Sequence, residues 1–269
     1  MIRDITIGQY YPSESFLHRL DPRVKLLGTL FYIISLFLFQ KFSGYLVVTL
    51  FLAICIHASH VPVKFMWKGM KSFSVILFLT MFFNVFFHEG AHMLWQWGIL
   101  KVSLEGIQNA LFAAMRLLYL VLGSSLMTYT TTPNQLTDGL EKLLKPLQKI
   151  KVPVHEISMM MSIALRFIPI LLEECDKIMK AQMARGADFE SGSLLKKAKN
   201  MFPLLIPLFV SAFRRSNELA MAMEARCYFG GEGRTKMKPL HYMLPDVAAY
   251  VILILYLAAI VLTEQLSVF

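Results

Sequence analysis

Three side chains in the first half of the chain carry the pattern of a metal centre. His88, Glu89 and His92 stand in "HEGAH", an H-E-x-x-H arrangement in which two imidazoles one helical turn apart bind zinc and the glutamate activates water. An intramembrane zinc metalloprotease using His88/Glu89/His92 is therefore the alternative function to be weighed. Such an enzyme takes a further ligand from an Asp-Gly pair, and the comparable pair here is Asp138-Gly139. The topology derived below sets His88 at the outer membrane face and Asp138 at the inner one, so they would not share an ion. Gly90 also weakens the helix that the geometry needs. The motif reads as a polar interfacial loop, with no metal ligand assigned. His57 and His60 in "HASH" likewise read as interface residues at a span end. Cys55, Cys175 and Cys227 are scattered without a CxxC, which indicates neither a zinc knuckle nor a redox pair. The chain has no G-x-x-x-x-G-K-[ST] and no G-x-S-x-G, so nothing marks a catalytic or ATP-binding subunit.

A second constellation repeats. "AQMARGADFE" at 181–190 and "AMEARCYFG" at 222–230 each set an arginine behind an alanine and ahead of a small residue. The triplets are Ala184-Arg185-Gly186 and Ala225-Arg226-Cys227. A cation at a helix C-terminus complements the macrodipole, and glycine is the usual residue just past the end. One such ending is local helix chemistry. Two, closing successive long helices whose ends should lie well apart, suit two docking points on a partner with two similar halves. An arginine fork also bonds carboxylates and carbonyls in a fixed geometry that lysine does not match. Two further features belong beside them. Arg116 sits within an apolar segment, either as a functional intramembrane charge or as an interior group bonded to a carbonyl or to a hydroxyl such as Ser124 or Ser125. Met159, Met160, Met161, Met221 and Met223 offer either ordinary core filling or a surface able to repack against different partners.

The elements that position these groups are membrane helices. Of 269 residues, 56% are hydrophobic, and the mean hydropathy is +0.55, above the composition of ordinary globular chains. Five regions are apolar enough to span a bilayer: 26–40, 44–58, 73–88, 106–129 and 246–263. Asp21-Pro22 and Pro245 mark helix starts. Polar residues among 1–20, Asp4 and Glu14 included, give no signal peptide. The net charge of +9 does not form the basic, aromatic-interleaved patch of a nucleic-acid binder. It follows the positive-inside rule instead. Arg19, Arg23 and Lys25, then Lys64, Lys68 and Lys71, then the Lys- and Arg-rich stretch 133–245 all fall on the cytoplasmic side if the N-terminus is inside. Between spans four and five lie three helices. One opens at "TTTPNQLTDGLEKLLKPL" with a Thr cap, Pro133 at N1, and Leu136, Leu140, Leu143, Leu144 and Leu147 on one face. The second runs from near Pro153 to about Arg185, with Pro169 expected to bend it. The third runs from about Leu194 to Arg226. Their apolar stretches 157–172 and 201–213 are too short for spans and read as helices at the cytoplasmic membrane surface. The expected fold is an all-α membrane protein. It has about five transmembrane helices (1–130 as a four-span bundle, 245–269 as the last) and a cytoplasmic/interfacial domain of coupling helices over 131–244.

"LHRLDPRVKLL" at 17–27, "TTTPNQLTDGLEKLL" at 130–144, "ALRFIPILLEECDKIMKAQMARG" at 164–186 and "RRSNELAMAMEAR" at 214–226 together resemble the T component of energy-coupling factor (ECF) transporters. The resemblance extends over most of the chain. It implies a non-catalytic membrane scaffold of an ABC-type importer of vitamins or other micronutrients, in the cell membrane of a prokaryote. Two ABC-type ATPase subunits, a heterodimer, would use ATP and Mg, and this chain would bind no cofactor. A separate, exchangeable S component would capture the substrate. Carried over residue by residue, the resemblance gives Arg185 with Ala184 and Gly186 to one ATPase and Arg226 with Ala225 and Cys227 to the other. Cys227 departs from the Gly or Ser expected there but is still small. A self-sufficient channel or secondary transporter is a further class, disfavoured by the missing inverted repeat and the large basic insert.

Overall fold

The computed structural model describes residues 10–39, 41–87, 93–97, 100–189, 194–231, 235, 237 and 239–266. In chain order the helices are α1 (Phe16–Arg19), α2 (Pro22–Leu38), α3 (Phe42–Ser59), α4 (Val63–Phe87), α5 (Leu104–Thr130), α6 (Pro133–Leu144), α7 (Val154–Ala184), α8 (Leu194–Ala225) and α9 (Leu244–Leu266). A short antiparallel ribbon, β1 (Met93–Trp97) and β2 (Leu100–Ser103), joins α4 to α5, with Trp95 opposite Val102 and Trp97 opposite Leu100. Sequence periodicity did not anticipate this ribbon, because strands of four and five residues carry few alternations to count. Apart from this ribbon, the regular secondary structure of the described residues is helical. They form two compact units: those of Gly8–Leu140 with Leu240–Phe269, and those of Glu141–Pro239.

The helix starts are chemically explicit. Asp21 caps α2, accepting from the Arg23 amide at 2.9 Å, with Pro22 at N1. Thr132 and Gln135 form a reciprocal capping box on α6: the Gln135 amide donates to Thr132 Oγ1 at 3.3 Å, and the Thr132 amide donates to Gln135 Oε1 at 3.1 Å. Ser103 caps α5 through the Gly106 amide. Asp246 reaches back to the Met243 amide at 2.8 Å, which closes the start of α9. α6 stops at Leu144, short of the helical face that the sequence extends to Leu147. Pro146 disfavours helix at the residue before it, and Lys145–Ile150 form a 3-10 segment instead. His60, at the end of α3, adopts φ 55°. Its "HASH" context therefore serves a left-handed cap.

In the first unit the core lies between α2, α3 and α9, where Tyr32, Leu36, Phe39, Tyr45, Val48, Leu52, Leu253, Tyr256 and Ile260 are buried together. Gly123 lets α5 approach α2: a Cβ there would stand 2.2 Å from the Tyr32 ring. The tyrosine hydroxyls do not stay orphaned in this apolar setting. Tyr32 donates to the Tyr119 carbonyl, Tyr45 to the Phe112 carbonyl, and Tyr256 shares a 2.8 Å bond with Ser35. The outer surface is apolar too. On α3, Leu46, Leu50 and Ile54 are 70%, 61% and 56% exposed at four-residue spacing, while Tyr45, Val48 and Leu52 are buried. A helix apolar on both faces fits hydrocarbon outside as well as core inside.

α3, α5, α7 and α9 are long and apolar enough to cross a membrane, and α4 makes a fifth if its halves, meeting at 59°, count as one span. Gly69 and the Ser74 Oγ bond to the Lys71 carbonyl flank that bend, the kind of backbone site where helices turn sharply. This set differs in membership from the five apolar regions of the sequence. α2 has 17 residues, which at 1.5 Å per residue is about 26 Å, somewhat short of the bilayer core. α7 qualifies because stretch 157–172 is one part of a continuous helix that runs through Pro169.

Candidate functional site

Both Ala-Arg-small triplets end their helices in the same backbone motif. At the end of α7 the Gly186 amide donates to the Met183 carbonyl at 2.9 Å, and the Ala187 amide donates to the Gln182 carbonyl at 3.0 Å. At the end of α8 the Cys227 amide donates to Glu224 at 2.9 Å, and the Tyr228 amide to Met223 at 3.1 Å. This is the Schellman pattern, which satisfies the last carbonyls through a residue of positive φ at C′. That residue is Gly186 at φ 88° in one case and Cys227 at φ 55° in the other. Arg185 and Arg226 therefore occupy the same position, the last before the chain turns away. Ala184, Arg185, Gly186, Ala225, Arg226 and Cys227 are all exposed. Among the described residues neither guanidinium is paired with a carboxylate. A charged fork flanked by small side chains can enter a narrow groove without steric conflict.

Within their unit, α7 and α8 run past each other in opposite senses. Arg215 Nη2 donates to Glu174 Oε2 at 3.3 Å, about two thirds of the way along each helix. The chain beyond α8 returns to the start of α7, where Gly231 packs on the His155 ring so closely that a Cβ would stand 2.5 Å from Cδ2. His155 Nδ1 in turn lies 3.2 Å from Glu141 Oε1, and Ser158 donates to Glu141 Oε2 at 2.9 Å. Arg185 lies eleven residues past Glu174, and Arg226 eleven past Arg215. Each arm is about 16 Å, so the two arginines stand at opposite ends of the pair, on the order of 30 Å apart.

The other candidates fall in various places. Met160, Met161 and Met221 are exposed, and Met159 and Met223 half-buried. Sequence reasoning passed over a stronger apolar stripe on α8. Phe202, Ile206, Phe209 and Phe213 recur at four, three and four residues and are all more than half exposed. The spacing was legible in "MFPLLIPLFVSAF", but the two prolines drew attention to helix breaking rather than to the face. Arg116 is in the first unit, with Cζ 5.3 Å from the Phe37 ring centre and Nε buried without a partner. Ser124 bonds carbonyls of its own helix. Arg116 therefore meets the Phe37 ring and, through a side-chain hydrogen bond, the Tyr45 hydroxyl, so the hydroxyl it reaches is a tyrosine's and not that of Ser124. His88, Glu89 and His92 lie outside the described residues. Among the described ones, no three His, Cys, Asp or Glu side chains are grouped to hold a metal ion.

A multi-pass helical membrane protein in which two long helices end in matching, exposed arginine triplets is the class that the fold and the site define. The comparisons make the class specific. Residues 13–237 match the model of the cobalt transport protein family, CbiQ. The chain is 55% identical over 250 residues to the energy-coupling factor transporter transmembrane protein EcfT of Clostridium kluyveri, covering 93% of each chain. It is 53% identical over 264 residues to that of Ruminiclostridium cellulolyticum, covering 98% of each. With the protein of the same name from Bacillus subtilis it shares 47% over 259 residues, 96% of this chain and 97% of the other. The chain belongs to the EcfT family, the transmembrane T components of ECF transporters.

Proposed function

We propose that this chain is the coupling scaffold of an ECF-type importer, non-catalytic itself, which passes ATP-driven motion of two ATPase subunits to a substrate-binding S component. The observation that carries the reading is the identity of the two helix ends. Two exposed arginines in the same Schellman geometry, about 30 Å apart on helices that run in opposite senses, match a partner built of two similar subunits. Arg185 with Ala184 and Gly186 would enter a groove on one ATPase, and Arg226 with Ala225 and Cys227 a groove on the other. ATP and Mg would be consumed by those partners, and this chain would hold neither. The S component would rest on the apolar surface of α7 and α8. The Phe202, Ile206, Phe209 and Phe213 stripe, with Met160, Met161 and Met221, is the surface best suited to hold it, because flexible and aromatic side chains adapt to exchanged partners. The N-terminus and the helices of 131–244 would face the cytoplasm, where ATP is found and where the basic residues concentrate. A vitamin or other micronutrient is the cargo expected of such a module.

The test is charge reversal. Co-expressed with its ATPases and an S component, the Arg185→Glu and Arg226→Glu chains should each retain fewer ATPase subunits on affinity purification. The double variant should retain none and support no uptake. Full ATPase retention and full uptake by the double variant would overturn the reading.

A further inference from the structure

The unit that holds α2 and α9 contains a cavity of about 210 Å³, set among α1, the first halves of α2 and α9, and the last halves of α3 and α5. Leu20, Gly28, Tyr32, Leu52, Leu126 and Leu253 are among its walls. The hydroxyls along it are already committed. Thr29 Oγ1 donates to the Lys25 carbonyl at 2.8 Å, the Tyr32 hydroxyl to the Tyr119 carbonyl at 3.0 Å, and Thr130 Oγ1 to the Leu126 carbonyl at 2.9 Å. Ordered water needs several polar partners, whereas a dry apolar cavity of about 150 Å³ is large enough to take benzene. This interior therefore suits hydrocarbon. Ile54 and Ile252 also line it and are 56% and 47% exposed, so the cavity opens on the outer apolar surface of the unit.

The charged residue of the lining is Lys25, itself only 8% exposed. Its Nζ donates to the carbonyls of His18 at 3.1 Å and Thr130 at 2.9 Å. An ammonium carries three N–H donors, and among the described residues nothing accepts from the third. A buried cation with a spare donor calls for an anionic acceptor. Gly28, one turn further along α2, supplies room beside it. A Cβ at Gly28 would meet no atom within 4 Å, whereas one at Gly123 would strike the Tyr32 ring. Glycine inside a helix is less stable than alanine, and no close packing within the chain calls for it at Gly28.

We infer that the cavity holds an acyl chain of an anionic phospholipid from the leaflet at which α5 ends. The lipid phosphate accepts the third N–H of Lys25, and the chain runs past Gly28 toward Tyr32, about 10 Å along α2. Basic pockets between membrane helices hold anionic headgroups in this way. Seated there, the lipid fills the space between α2, α3, α5 and α9 and is a fixed part of the unit rather than bulk bilayer. The site stands on the membrane unit alone and does not depend on the coupling function.

Photolabelling tests it. The full chain is placed in phosphatidylcholine vesicles that carry a trace of probe, either phosphatidylglycerol or phosphatidylcholine with a diazirine in one acyl chain. The residues that capture the carbene are read by mass spectrometry. The phosphatidylglycerol probe should label Leu52, Cys55 and Leu126 about tenfold more than the phosphatidylcholine probe, the effect of one charge-assisted bond. Val75 and Phe78 on α4, 73% and 70% exposed, should take both probes alike. Gly28→Leu fills the cavity from α2 and should abolish labelling of the three residues while α4 is labelled as before. Ala249→Leu fills it from α9 and should do the same. Lys25→Met should bring the phosphatidylglycerol probe down to the level of the other. Equal labelling of the cavity by the two probes in the unsubstituted chain would overturn the anionic site without recourse to any variant. Undiminished labelling in a folded Gly28→Leu or Ala249→Leu chain would overturn the cavity as its place.

Discussion

At the scale of the residue, the most informative position is Cys227. Its type invited a search for thiol chemistry, and its smallness was all that the sequence offered in favour of docking. The backbone explains it further: at φ 55° it occupies the left-handed region that Gly186 fills at the other helix end. A side chain there costs about 1 kcal/mol relative to glycine. Cys227→Gly should therefore stabilise the end of α8 by about that amount, seen as slower amide exchange over residues 224–228. Gly186→Ala should speed exchange at the end of α7 by the same reasoning, since a Cβ there meets no atom within 4 Å and only the φ of 88° opposes it. If both substitutions were neutral, a left-handed residue would not be what closes either helix end. The triplets themselves were legible because arginine and a small residue at a helix end have a local chemistry. The equivalence of their φ angles was not, because cysteine carries no left-handed preference to read.

At the scale of the element, helix ends were read well where a cap or a glycine marks them. The two long helices of the insert, expected from near Pro153 to Arg185 and from Leu194 to Arg226, run Val154–Ala184 and Leu194–Ala225. Contacts between elements were not legible. Nothing in the local pattern pairs Glu174 with Arg215, 41 residues apart, or sets Gly231 on His155. That second contact makes its own prediction. The His155 ring is held from the other side by Glu141, so it cannot retreat freely from a new side chain. Gly231→Val should overpack the junction at a cost of about 1–3 kcal/mol and lift the segment after α8 from the start of α7. Faster amide exchange over 226–231, with α2 and α3 unchanged, would mark the effect. Unaltered exchange would mean that the segment does not rest on His155.

At the scale of the whole molecule, the unit that holds α2 and α9 is closed by a polar knot between distant parts of the chain. The Asp21 amide donates to Asp246 Oδ1 at 2.8 Å across 225 residues. The Asp21 carboxylate accepts from Arg23 Nε at 3.0 Å and Nη2 at 2.7 Å, and the Arg23 guanidinium lies 3.9 Å over the Tyr242 ring. Lys25 Nζ donates to the carbonyls of His18 and Thr130. Arg23 and Lys25, counted in the sequence only as positive charge before a span, are thus structural as well, since a charge census shows sign but not partner. Asp21 gives the knot its pH dependence. Burial pushes its carboxyl up, but the hydrogen bonds and charge of Arg23 outweigh that and hold it below its ordinary value. A carboxylate with a depressed pKa contributes stability that is complete above its unfolded value, about 4, and is lost as pH falls through the folded one. The purified chain in detergent should therefore keep a constant melting temperature from pH 7 to about 5 on account of this group and lose stability below about 4. Asp21→Asn keeps the shape and a capping oxygen but carries no charge to titrate. It should melt lower than the unsubstituted chain at pH 7 and approach it at pH 3. Arg23→Gln, which removes the cause of the depression, should flatten the same acid limb. If the gap between Asp21→Asn and the unsubstituted chain stayed constant from pH 7 to pH 3, the charge of Asp21 would not be what joins the two ends of this unit.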